Sequence, residues 1–208
     1  MKLVVINYGM GNLASVCRAL EECGSEPVLS ANPKSLTDAD RIILPGVGAF
    51  GDGMKNLREA GWPTAIRETL KNPEVFLLGI CLGMQLLADK GYEHGDHEGL
   101  GLVRGKVERM NPKEGERVPH VGWNELRIVR DDGLTKGIAK GTDFYFVHSY
   151  QFNVDNENDV IGRTPYAGEF VSVVRHGNVF GTQFHPEKSS FAGFQLLKNF
   201  LGQPLANA

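Results

Sequence analysis

One short stretch of the chain has the residue types and spacing of a nucleophile site. Gly79-Ile80-Cys81-Leu82-Gly83-Met84-Gln85 follows the apolar run Phe76 to Ile80 and precedes a helical pattern carrying Met84, Leu86 and Leu87. A nucleophile between two glycines at a strand-to-helix junction is the pattern of a sharp elbow, here with cysteine where hydrolases often place serine. Side chains at the two glycine positions would collide with neighbouring backbone. The elbow puts sulfur at a helix N-terminus, where the dipole favours the thiolate, the attacking form. The N–H of Leu82 is then expected to point where an oxyanion develops. A structural cysteine at a strand end is the plainer alternative. The flanking glycines decide against it.

A thiol needs a base. Gly181-Thr182-Gln183-Phe184-His185-Pro186-Glu187 ends another apolar run, Val179 to Phe184. Pro186 cannot continue a ladder, so His185 is expected at the strand tip. Glu187 is two residues on and in reach of the far ring nitrogen. There it would fix the tautomer and support the imidazolium. Cys81, His185 and Glu187 therefore read as nucleophile, base and orienter. A second oxyanion donor should come from another loop. Pro45-Gly46-Val47-Gly48-Ala49-Phe50 follows the strand Arg41 to Leu44, and its glycines permit close backbone approach. Taken alone it reads equally well as a plain turn.

These residues need a scaffold that brings strand ends together. Leu3 to Ile6 reads as a buried strand. Leu13, Val16, Cys17 and Leu20 then mark a helix face, stopped at Gly24. Strands at 41–44 and 76–80, with helical patterns between, imply parallel βαβ units. The second half is richer in strands: Lys106 to Met110, Leu126 to Val129, Phe144 to Tyr150, Val171 to Val174 and Val179 to Phe184. A final helix carries Phe191, Phe194, Leu197 and Leu201. The expected fold is α/β, an open, mostly parallel sheet with an antiparallel extension, and sites in such sheets lie at the carboxyl ends of the strands.

The bulk properties fit one domain over residues 1–208. The chain is 41% hydrophobic and 23% charged, with a net charge of -3 that argues against a nucleic-acid surface. No apolar run approaches a membrane span. The N-terminus, Met1 to Asn7, is too short and strand-like for a signal peptide. Three widely spaced cysteines make no disulfide framework, which points to a reducing cytoplasm.

The elbow at Cys81 and the His185-Pro186-Glu187 tip together resemble the class I (triad) glutamine amidotransferases. Three more segments narrow the likeness: Asn7-Tyr8-Gly9-Met10-Gly11-Asn12-Leu13, Pro45 to Phe50, and Pro119-His120-Val121-Gly122-Trp123-Asn124. With them the chain is similar, from Lys2 to about Phe200, to the glutaminase subunits that serve imidazole glycerol phosphate synthesis in histidine biosynthesis. The resemblance implies a flavodoxin-like sheet with helices on both faces and no cofactor or metal. It implies that Cys81 attacks the glutamine side-chain amide and that His185 moves the proton. Val47, Gly48 and Leu82 would supply the oxyanion hole, and Gly46, Gln85, Ser149 and Tyr150 would hold glutamine. It further implies a heterodimer with a (β/α)8-barrel cyclase that takes the ammonia, with Asn12, Trp123, Asn124 and Lys188 on the facing rim. Other members of the class commonly carry Gly at the position of Val47. A β-branched residue resists positive φ. The oxyanion hole is therefore expected to be incomplete in the free subunit and completed when partner and nucleotide bind.

Other signals take plainer readings. Gly9 to Ala14 mimics a dinucleotide fingerprint, but no acid follows at Leu29 to Asn32 to hold a ribose. His94-Gly95-Asp96-His97-Glu98 looks metal-like yet reads as a solvated loop. Lys113 to Arg117 reads as a solvated turn. Cys17 and Cys23 read as core or near-core packing. His120 is either structural or interfacial. Rival functions are a stand-alone cysteine peptidase, a nucleotide-binding module using Gly9 to Ala14, and a glutaminase serving a different synthase.

Overall fold

The computed structural model describes residues 1–202 of the chain; 203–208, the tail of the expected domain, lie outside the described residues. The first half alternates strands and helices: β1 (Leu3–Ile6), α1 (Leu13–Glu22), β2 (Pro27–Ser30), β3 (Arg41–Leu44), α2 (Phe50–Glu59), α3 (Trp62–Thr69), β4 (Phe76–Ile80) and α4 (Leu82–Gln85). Strands then dominate: β5 (Lys90–Gly91), β6 (His97–Glu98), β7 (Gly105–Arg109), β8 (His120–Ile128), β9 (Thr142–His148), β10 (Tyr150–Val154), β11 (Val160–Thr164), β12 (Phe170–His176) and β13 (Val179–Thr182). Helix α5 (Ser190–Leu201) closes the described chain.

The large sheet runs β2-β1-β3-β4-β13-β12-β11-β8-β9. Pairings from β2 to β13 are parallel, and those from β13 to β9 are antiparallel. The expected open α/β sheet and its antiparallel extension are both present. A smaller sheet, β10-β7-β5-β6, covers one side.

Strand residues alternate between two cores because their side chains point to opposite faces. Val4, Ile6, Ile42, Leu44 and Leu77 meet Met54 and Leu57 of α2 and Trp62 and Ile66 of α3. Leu3, Val5, Ile43, Phe76 and Leu78 meet Val16 and Leu20 of α1 and Leu197 and Phe200 of α5. Every residue of β1, β3 and β4 is buried, as a sheet covered on both faces requires. Each such Leu, Ile or Phe contributes about 1.5–3 kcal/mol relative to exposure. Helix α1 starts where the Asn12 side chain accepts from the Ser15 N–H and stops before Gly24, whose φ is 86°.

Several boundaries differ from expectation: β8 begins six residues earlier than the expected Leu126, β13 stops at Thr182 rather than Phe184, and two further differences bear on the site. The helix after Cys81 is one turn long. The carbonyls of Leu86, Leu87, Ala88 and Asp89 accept from Leu100, Leu102, Gly101 and Gly99, so the 99–103 segment replaces the helical bonds that would have continued it. The apolar run 144–150 is two strands in different sheets, parting at Ser149. No helix among the described residues is long and apolar enough to cross a membrane.

Candidate active site

The site is built at the carboxyl ends of three adjacent parallel strands. Gly79 of β4 is in register with Leu44 of β3 and Gly181 of β13. The segments that leave these strands therefore begin side by side: Pro45 to Gly48, Cys81 to Gln85, and Gln183 to Glu187. The Cys81 N–H donates to the Thr182 carbonyl at 2.8 Å, which ties the elbow to β13.

Cys81 has φ 55° and ψ -111°, and it is one of four non-glycine residues with positive φ among the described residues. Such a conformation costs about 1–3 kcal/mol and is held by its surroundings. The glycine of the elbow that matters most is Gly83: a Cβ there would lie 1.8 Å from the Leu44 carbonyl oxygen. Helix α4 is too short to carry a full macrodipole, so the expected electrostatic help from a helix N-terminus is small here. The sulfur has other partners. Gln183 Nε2 donates to it at 3.7 Å, and the thiol can donate to the Val147 carbonyl at 3.9 Å.

His185 stands three residues beyond the end of β13, not directly at its tip. After Thr182 the chain leaves the β4 ladder: the Gln183 N–H goes to Ser172 and the His185 N–H to Tyr145. His185 Nδ1 meets Glu187 Oε1 at 2.7 Å, with both side chains 2% exposed. Nε2, the other ring nitrogen, is buried and makes no hydrogen bond among the described residues. Burial alone would lower the imidazole's pKa. The nearby Cys81 sulfur, the hydrogen bond to Glu187 and the charges of both outweigh it and raise the value from 6.5 to about 9. The thiol proton thus has a receiver whose charged form is held by a buried carboxylate.

A cavity of about 330 Å³ opens over Cys81. Val47, Gly48, Leu82, Gln85, Ser149 and Tyr150 line it, as expected, and so do Val147, His148 and Glu93. Gly46 lies beneath, where a Cβ would meet the Tyr8 hydroxyl at 2.4 Å. Its carbonyl accepts the Leu82 N–H at 3.3 Å, so one expected oxyanion donor is engaged by the neighbouring loop. Val47 is 41% exposed, and only Gly48 in this loop has positive φ, at 120°. A roomier hollow of about 580 Å³ between α5 and residues 133–137 contains lysines and amides but no nucleophile–base pair.

Sequence reasoning missed Glu93, because the His94–Glu98 stretch beside it reads as solvated loop. That stretch is in fact pinned. His97 and Glu98 form β6 against β5, the His97 ring packs 6.5 Å from Phe50, and its Nε2 meets the Glu93 carbonyl at 3.0 Å. Glu93 Oε2 accepts from the Phe50 N–H at 2.7 Å, at the start of α2. A carboxylate is thereby held at the cavity wall.

Behind the cavity, one directed chain of hydrogen bonds fixes two histidines. His148 Nδ1 lies 2.8 Å from the Tyr150 carbonyl, so it must carry a proton. His148 Nε2 then accepts from His120 Nδ1 at 3.1 Å, and His120 Nε2 accepts from the Asn124 amide at 3.3 Å. Burial lowers the pKa of His120 to about 4 and that of His148 to about 3. Both rings are neutral near pH 7, and His120 takes a structural part. Asn124 also donates to the Pro165 carbonyl, so its amide is spent inside the chain and is not free for a rim contact. The other rim residues are exposed: Asn12, Trp123 at 54%, and Lys188. Trp123 faces Tyr145 with ring centroids 6.0 Å apart, and the Lys188 ammonium lies 5.9 Å from the Tyr145 centroid, forming one continuous row. Cys17 and Cys23 are half-buried free thiols on or near α1, and Cys23 Sγ donates to the Phe194 carbonyl at 3.6 Å.

The model of the class-I glutamine amidotransferase family matches residues 4–203. The imidazole glycerol phosphate synthase subunit HisH of Aquifex aeolicus is 47% identical over 201 residues, covering 96% of each chain. The HisH subunit of Moorella thermoacetica is 49% identical, covering 95% of this chain and 93% of its own. Among solved structures, PurLQS from Thermotoga maritima superposes with a TM-score of 0.74 at 24% identity, covering 97% of this chain and 98% of its own. A glutamine amidotransferase superposes at 0.75 and 23%, covering 96% and 97%. Those two are likenesses of fold.

Proposed function

We propose that this chain, which belongs to the class I glutamine amidotransferase family and within it to the HisH subunits of imidazole glycerol phosphate synthase, hydrolyses glutamine at Cys81 and passes the ammonia to a cyclase subunit in histidine biosynthesis. The observation that carries the reading is the buried Cys81, His185 and Glu187 set at the ends of adjacent parallel strands, over a cavity sized for a small amide.

The chemistry follows from the positions. Cys81 gives its proton to His185 Nε2, and the sulfur attacks the side-chain carbonyl carbon of glutamine. The C–N bond then breaks as the imidazolium returns a proton to nitrogen, leaving a glutamyl thioester and ammonia. Water, deprotonated by the same ring, cleaves the thioester to glutamate and restores the thiol. Glu187 keeps Nδ1 protonated throughout. Gln85, Ser149 and Tyr150 hold the amino-acid end of glutamine, and the Glu93 carboxylate opposes its ammonium. No residue in this sequence asks for a metal or cofactor. Residues 1–208 act as one glutamine amidotransferase domain in the cytoplasm, where its thiols stay reduced.

Ammonia released into neutral water is protonated and no longer nucleophilic, so the receiver must be docked. The row of exposed Trp123, half-buried Tyr145 and exposed Lys188, with Asn12, forms the rim against a (β/α)8-barrel cyclase. That cyclase combines the ammonia with a phosphoribulosyl-formimino nucleotide to give imidazole glycerol phosphate and the aminoimidazole carboxamide ribotide. The oxyanion hole is unfinished in the free chain: Leu82 N–H is engaged by Gly46, and Val47 does not adopt positive φ. Docking of the partner would turn the Gly46–Gly48 backbone toward the substrate. Glutaminase assays with and without a cyclase subunit and its nucleotide test this. Activity must rise strongly with both present, and Val47→Gly must raise the partner-free rate. A free chain as fast as the complex contradicts the coupling.

A further inference from the structure

Gln183 is a fully buried amide that the mechanism has not used. Its surroundings fix which end is which. The Tyr150 carbonyl can only accept, so the group that meets it at 3.1 Å is the Gln85 NH2. The same NH2 reaches Gln183 at 2.8 Å, so the Gln183 atom there must be its oxygen. The NH2 of Gln183 is then the end that faces Cys81 Sγ at 3.7 Å. Neither amide can flip without setting two donors or two acceptors against each other inside a dry pocket, where each unsatisfied group is costly.

We infer that Gln183 is a positioning residue for the nucleophile, holding Cys81 Sγ through an N–H whose direction is set by Gln85 and the Tyr150 carbonyl. This rests on the proposed role of Cys81. The sulfur sits between two opposite influences. The Val147 carbonyl accepts only from the thiol, and the Gln183 N–H stabilises the thiolate. The donor supplies part of what the one-turn helix α4 cannot. It also links the nucleophile to Gln85 on the cavity wall, because both Gln85 NH2 protons are spent and only its oxygen remains for a ligand.

The test is alkylation of Cys81 by iodoacetamide in the full-length chain at neutral pH, read by mass mapping of the Cys81 peptide so that Cys17 and Cys23 do not interfere. Gln183→Met keeps the volume and removes both amide bonds. Alkylation of Cys81 is expected to slow about tenfold, the size of one hydrogen bond to a charged group. In the complex with a cyclase subunit and its nucleotide, kcat is expected to fall by a similar factor, and KM for glutamine is expected to rise as Gln85 loosens. A purely structural role gives the opposite sign, because a loosened site exposes a thiol that is now only 6% exposed and speeds alkylation. Unchanged or faster alkylation overturns the inference. If Gln183→Met does not fold, Gln183→Glu keeps the oxygen facing Gln85 and removes the NH2; it must slow alkylation with a smaller change in KM, and the same outcomes decide. Alkylation needs no glutamine turnover. A wild-type chain that hydrolyses no glutamine even with a cyclase subunit and its nucleotide would therefore sink the proposed function while slowed alkylation of Gln183→Met still shows that Gln183 holds the Cys81 sulfur, and normal turnover of that complex with unchanged alkylation does the reverse.

Discussion

Replacing Glu187 with Gln changes one oxygen to nitrogen and removes the buried charge beside His185. The structure sets the size of the effect. His185 is raised from 6.5 to about 9 against its burial, by Cys81 and Glu187 together. At about 1.4 kcal/mol for each pH unit, that net rise is on the order of 3 kcal/mol, and the two partners together supply more than this because they also offset the burial. Glu187→Gln should therefore remove about 1–2 kcal/mol of imidazolium stabilisation. The neutral amide adds a second loss: turned the wrong way it donates to Nδ1, and the proton then sits on Nε2, where the thiol proton has to go. Together these should lower kcat by about 10²- to 10⁴-fold. The assay is ammonia-linked glutamate release by the complex from pH 6 to pH 10, with thermal melting as a check on the fold. An unchanged kcat in a folded Glu187→Gln variant refutes the assignment of Glu187 as orienter.

Other expectations follow from single contacts. Gly83→Ala puts a Cβ 1.8 Å from the Leu44 carbonyl oxygen; it should destabilise the chain by about 3 kcal/mol, read by urea unfolding, because the clash is with backbone on both sides. The Tyr8 hydroxyl is buried without a partner among the described residues. Tyr8→Phe should stabilise by about 1 kcal/mol, and a loss of stability would show an unseen partner. His120 and His148 fold neutral, with pKa values near 4 and 3 against 6.5 in the unfolded chain. Their contribution is full above pH 6.5 and is lost as pH falls toward 4, by on the order of 3 kcal/mol each. His120→Asn should flatten the acid limb of the stability profile between those values; an equally steep limb contradicts the neutral assignment.

Strands β1, β3 and β4 were legible because each is a short apolar run buried on both faces, β3 ended by Pro45 and β4 by Cys81, and all three fall at the residues expected of them. The triad was legible because a strained elbow and a strand end leave sequence traces, Gly79/Gly83 and Pro186. Helix α4 was not. Its 3.6-residue pattern continues through Leu87, but tertiary bonds from the 99–103 segment take the carbonyls instead. Glu93 was hidden for a related reason: its place in the cavity depends on β6 folding back onto β5, a pairing of two residues on each side with no periodicity to detect. Gln183 was in view within the His185 segment, but its direction depends on a carbonyl of Tyr150 from another sheet, which no local pattern encodes.

Catalysis at Cys81 requires a covalent bond between its sulfur and the side-chain carbonyl carbon of glutamine. Acid quenching of the complex during turnover, followed by mass mapping, measures it directly. A fraction of the chain is expected to gain the mass of one glutamyl group on the peptide containing Cys81, and Cys81→Ala is expected to show neither adduct nor glutaminase activity. A glutamyl adduct on another residue, or a Cys81→Ala variant that still hydrolyses glutamine, contradicts catalysis at Cys81.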